Sequence, residues 1–85
     1  MNSFKSLNEY LDAAVSTARY EKIEKGKKFY AEVPDFQGVW AEGRTREAAE
    51  RTLREVLKGW IELELERGRV LPDVKGGRYQ ILGAA

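Results

Sequence analysis

Apolar positions change their period several times along this chain, and each change marks an element. Phe4, Leu7, Leu11, Ala14, Val15 and Ala18 recur at helical spacing. The "SLNE" run puts Ser6 three residues before Glu9, the pattern of a capping box. The spacing therefore predicts a helix over Leu7 to Thr17. Its polar face carries both charge signs rather than a Lys/Arg stripe, so packing on the domain core is expected before docking to a partner or a membrane surface. From Tyr20 the pattern shortens to that of strands. Tyr20 to Glu24 and Phe29 to Val33 read as a hairpin, with Gly26 in "KGKK" supplying the positive φ of a tight turn. Lys25, Lys27 and Lys28 mark a solvated turn rather than a phosphate site, since no Arg or aromatic is interleaved.

Pro34 ends the second strand by removing a ladder donor. "PDFQG" then turns the chain, and Val39 to Glu42 reads as a third strand closed by Gly43. Thr45 is a suitable N-cap, with Glu47 in the first turn against the helix dipole. A long helix is predicted over Arg46 to Arg67. Ala49, Leu53, Val56, Leu57, Trp60, Ile61 and Leu63 give it a wide apolar face. Gly59 in its middle costs about 1 kcal/mol relative to Ala; it either admits another backbone or is tolerated slack. Gly68 fits the residue just past the helix end, and Pro72 stops the helix from resuming. "GGRYQIL" predicts a turn and a short fourth strand, Tyr79 to Leu82.

In the second strand Phe29, Ala31 and Val33 alternate with Tyr30 and Glu32. In the third, Val39 and Ala41 alternate with Trp40 and Glu42. The all-apolar parity is expected to face the helices, leaving Tyr30, Glu32, Trp40 and Glu42 on an open face. The alternative is reversed parity with a buried Trp40, and the poorly alternating "YEKIE" does not decide between them. An open face that carries aromatics beside acids suits a protein interface.

Composition narrows the chemistry. The chain has 85 residues, 42% apolar and 34% charged, which fits one globular domain. A domain this small buries only about 60% of the surface its unfolded chain exposes, so self-association would add stability. There is neither Cys nor His. Disulfides, thiolate catalysis, Cys-based zinc sites and Ser-His or Cys-His nucleophiles are therefore excluded. Only carboxylates remain for catalysis, concentrated at Glu32, Asp35 and Glu42. Held together they could bind Mg²⁺ through oxygen and assist phosphodiester cleavage, but no Gly-rich phosphate cradle accompanies them. The net charge of +1 gives little long-range attraction for nucleic acid. With no membrane-length apolar run and no signal-peptide pattern, a cytoplasmic protein is expected.

Taken in order, Tyr30, Pro34, Gly38, Gly43, Thr45, Ala48, Gly68, Leu71 and Pro72 resemble the punctuation of the HicB family of antitoxins. That family shows a hairpin, a Tyr-x-x-x-Pro-x-x-x-Gly-Val-like segment, a Gly-x-Thr helix start and a helix ending in Gly and Leu-Pro. The resemblance covers about Tyr20 to Pro72. It implies a β-β-β-α-β domain similar to a truncated RNase H fold. It also implies a non-enzymatic antitoxin that binds and neutralises a small HicA-type, RNA-cleaving toxin. Related chains usually add a C-terminal helix-turn-helix or ribbon-helix-helix segment. This chain ends at Ala85, so no direct DNA binding is expected of it.

The expectation is thus one α+β domain over residues 1–85, with an N-terminal helix at 6–18 and a β-β-β-α-β core at 19–83. Tyr30, Glu32, Asp35, Trp40 and Glu42 are the candidate partner-binding residues; no cofactor or metal is expected. The partners expected are a HicA-type toxin and further copies of the chain, as a dimer or tetramer. The alternatives are a metal-dependent nuclease relic using Glu32, Asp35 and Glu42, or an orphan homo-oligomeric scaffold.

Overall fold

The computed structural model describes residues 2–4, 6–74 and 77–79, with side chains described at 4 and 6–74. The elements run β1 (Asn2–Phe4), α1 (Leu7–Ser16), β2 (Arg19–Ile23), β3 (Lys28–Glu32), β4 (Trp40–Gly43), α2 (Arg46–Glu66) and β5 (Gly77–Tyr79). The fold is mixed α+β: two helices on a three-stranded antiparallel sheet in the order β2-β3-β4, with β1 and β5 pairing parallel as a separate two-stranded sheet.

α1 starts where the capping box places it. The Glu9 amide donates to the Ser6 hydroxyl at 3.1 Å and the Ser6 amide to the Glu9 carboxylate at 3.2 Å. α2 starts with the Ala48 amide donating to the Thr45 hydroxyl at 3.0 Å. It ends on Gly68 at φ +72°, where the Gly68 amide bonds the Leu65 carbonyl and the Arg69 amide the Glu64 carbonyl. This paired pattern closes the orphaned carbonyls of the last turn. The β2–β3 connection departs from expectation. Glu24 and Lys25 join Gly26 in the left-handed region, at φ 50°, 57° and 85°. A four-residue connection at this register needs more left-handed backbone than one glycine supplies.

The sheet parity is settled by burial. Ala31, Val33, Val39 and Ala41 lie in the core, whereas Trp40 is 51% exposed. The inner face packs against Tyr10, Leu11, Ala14 and Val15 of α1 and Ala49, Leu53, Leu57 and Ile61 of α2. Gly43 brings the end of β4 against the start of α2: a Cβ there would lie 2.8 Å from the Ala48 carbonyl carbon and 2.9 Å from the Ala49 Cα. The wide apolar face expected of α2 is divided. Val56 and Leu63 are 39% and 44% exposed.

Aromatic side chains link the remaining pieces. Tyr10 sits edge-to-face with Phe4 and Phe36, and Phe36 sits edge-to-face with Trp60 at 5.2 Å. The Tyr10 hydroxyl donates to the Pro72 carbonyl at 2.5 Å, tying α1 to the segment after α2. The fourth strand expected at Tyr79 to Leu82 lies outside the described residues beyond Tyr79. The described strand, Gly77–Tyr79, pairs with Asn2–Phe4 rather than with the meander. A three-residue strand such as β1 is too short to show a period in sequence, so its presence was not expected.

Candidate functional site

The open sheet face is assembled by register. Tyr30 pairs with Glu42 and Glu32 with Trp40 across β3 and β4, while Arg19 pairs with Glu32 and Glu21 with Tyr30 across β2 and β3. Residues directly opposite in an antiparallel pair share a face. Arg19, Glu21, Lys28, Tyr30, Glu32, Trp40 and Glu42 therefore share this one.

The Tyr30 and Trp40 rings stack diagonally, 5.9 Å between centroids and 24° between planes. A twisted sheet shortens one diagonal of such a four-residue set and lengthens the other. Glu32 and Glu42 occupy the other diagonal of the same set. Glu32 accepts the Tyr30 hydroxyl at 3.1 Å and forms no ion pair among the described residues. Glu42 lies 3.9 Å from the Lys28 ammonium, which also approaches Glu24 at 3.4 Å. Both pairs are exposed and worth at most about 1 kcal/mol. The Tyr30 phenol is held above its ordinary range, first by desolvation, then by its bond to Glu32 and the charges of Glu32, Glu21 and Glu42.

Two shallow hollows flank the Tyr30–Glu32 pair. One, about 210 Å³, is bounded by Trp40, Val33, Pro34, Phe36 and the Gln37–Gly38 turn. The other, about 300 Å³, is bounded by Arg19, Tyr20 and Glu21. Phe36 and Gln37 are not among the candidates read from sequence, and Gly38 is read there only as a turn residue. The available signal was the left-handed turn implied by "PDFQG", which has Gly38 at φ +83° and the Phe36 amide donating to the Val33 carbonyl at 3.0 Å.

Asp35 does not join the other four candidates. It lies in the turn between β3 and β4, and its charge acts on the buried Tyr10 hydroxyl instead. Asp35 has the parity of the inward-facing Ala31 and Val33, and Pro34 ends the strand before it. The three acids of the nuclease alternative thus do not converge. Among the described residues no three acidic side chains form a group able to hold a metal ion. What the face offers chemically is a stacked aromatic pair beside a carboxylate that has a hydroxyl donor and, among the described residues, no ion pair.

A family model for UPF0150-like proteins matches residues 9–72. The chain belongs to the UPF0150-like family. This is a family of small proteins related to the HicB-like proteins of toxin–antitoxin systems. The UPF0150-like region contains most of α1, the meander, α2 and all five candidate residues. Among solved structures, the chain is similar to TTHA0281 from Thermus thermophilus, with 36% identity and a TM-score of 0.81 over 88% of this chain and 93% of that one. No curated protein matches the chain. No helix among the described residues of this UPF0150-like chain is long and apolar enough to cross a membrane.

Proposed function

We propose that this protein is a non-enzymatic, antitoxin-like binding protein of the cytoplasm that docks a small, basic, HicA-type RNA-cleaving toxin on its open sheet face. The observation that carries the reading is the stacked Tyr30–Trp40 pair with Glu32 beside it, lacking a cation among the described residues, at the mouth of a 210 Å³ hollow. An RNA-cleaving partner must present Lys or Arg to phosphate. A guanidinium or ammonium laid against this face gains a cation–π contact of about 0.5–2 kcal/mol. It also gains a charge-assisted hydrogen bond to Glu32. Glu42 adds negative potential, whereas Asp35 contributes from outside the face. The relation of the UPF0150-like family to HicB-like proteins supports the same reading. On this reading β2, β3, β4 and α2 are a partial RNase H-like core used for binding.

The test is titration calorimetry with a HicA-type toxin encoded beside the gene. Trp40→Ala and Glu32→Lys are expected to weaken binding by at least about tenfold each, the size of a typical interface anchor, with unchanged far-UV circular dichroism. Full affinity in both variants removes this face from the interaction. Mg²⁺- or Mn²⁺-dependent RNA cleavage abolished by Glu32→Gln would instead make the protein a nuclease.

A further inference from the structure

One flank of α2 is apolar and uncovered by the described residues. Leu53, Leu57 and Ile61 point into the core. At about 100° per residue, Val56, Leu63 and Gly59 fall together on the adjacent side, with half-buried Trp60 between them and the core. Val56 and Leu63 are among the exposed large hydrophobics of the described chain. A Cβ added at Gly59 would meet nothing within 4 Å. This mid-helix glycine costs about 1 kcal/mol relative to Ala, and no contact among the described residues requires it.

The direction of this flank follows from its neighbours. On the opposite flank, Arg54 pairs with Asp12 of α1 at 2.5 Å. Trp60 instead meets Phe36, in the turn that leads into β4. The apolar flank therefore lies over the outer side of β4, which is an edge of the three-stranded sheet. The phase of the ladder is given by the Val33 amide, which donates to the Val39 carbonyl at 3.4 Å. Antiparallel pairing alternates, so Ala41 bonds to β3 while Trp40 and Glu42 turn their N–H and C=O groups outward. No described strand pairs with that edge.

We infer that two copies of this chain associate through this side, β4 edge to β4 edge and α2 flank to α2 flank, about one two-fold axis. Each half needs a different complement, an extended edge and an apolar helix, and a second copy supplies both in the required relative position. A two-fold axis joins such a patch to itself. With the axis at Ala41, Trp40 of one copy pairs through its backbone with Glu42 of the other, and Ala41 faces Ala41 beneath the helices. Paired strands lie only about 4.8 Å apart, whereas packed helices lie about 8–10 Å apart. Helices riding on adjacent edge strands are thus forced close together, and Gly59 removes the side chain at the place of closest approach. The side chains of Trp40 and Glu42 remain on the open face. Pairing therefore merges two faces into one six-stranded surface without covering the site proposed above, and the inference does not depend on that proposal.

Sedimentation equilibrium of the full chain at micromolar concentration is the test, and a dimer is expected. Gly59→Arg puts a charged side chain on the flank while raising helix propensity. Glu42→Pro removes an outward N–H that the sheet of one copy does not use. Each is expected to raise the dimer dissociation constant by at least about tenfold while circular dichroism shows the fold intact. A monomer at all concentrations overturns the inference. So does a dimer that neither variant weakens, or one lost only when residues 80–85 are removed.

Discussion

Replacing Tyr10 by Phe removes a hydrogen bond at the centre of the domain. The ring is fully buried between Phe4 and Phe36, and Phe retains those contacts. What is lost is the bond to the Pro72 carbonyl. A net hydrogen bond is worth about 0.5–1.5 kcal/mol, and a carbonyl left without its donor raises the total to about 1–2 kcal/mol. For a domain of this size each kcal/mol moves the melting temperature by about 4–8 °C, so a decrease of roughly 4–16 °C at pH 7 is expected. Alkaline pH supplies a second signature. Burial holds the Tyr10 phenol well above its ordinary value of 10.0, with the charges of Asp73 and Asp35 adding to the shift. Below pH 10 the phenol is protonated in both folded and unfolded chains, so its contribution is complete. Above pH 10 the unfolded chain releases the proton first and stability falls with rising pH. The Phe variant lacks this loss, so the stability gap between the two proteins should narrow between pH 9 and roughly 11. Urea denaturation across that range reads it directly. Equal stability at pH 7, or a gap that widens at alkaline pH, would refute the assignment.

Two further substitutions test the local backbone. Gly43→Ala places a methyl group against the Ala48 and Ala49 backbone and is expected to cost about 1–3 kcal/mol in urea denaturation; an unchanged midpoint would mean that β4 and α2 can separate freely. Lys25→Gly relieves a left-handed non-glycine residue in the hairpin connection and should stabilise the protein by about 1 kcal/mol, seen as a higher melting temperature, whereas a decrease would indicate that the Lys25 side chain contributes more than its strain.

Local signals were legible wherever the chemistry is local. Ser6 and Glu9 mark the start of α1 because the capping atoms lie three residues apart. Thr45 and Gly68 bound α2 for the same reason. The alternation of Ala31 and Val33 with Tyr30 and Glu32 reflects the strand period, so four of the five candidate site residues were placed on one face from the pattern alone. Asp35 follows Pro34 in the turn, where strand alternation assigns no face. The role of Tyr10 was invisible, since its partner Pro72 is 62 residues away. The pairing of Asn2–Phe4 with Gly77–Tyr79 has no local signature either.

The sequence by itself determined the number, type and approximate limits of the principal helices and meander strands, because caps, turns and periodicity act within a few residues. It also removed Cys and His chemistry outright. Tertiary structure decided which sheet face is open, that Tyr30 and Trp40 stack across it, and that Val56 and Leu63 stay uncovered by the described residues. These depend on sheet twist and on which surfaces meet, and neither is encoded in the spacing of residues along one element.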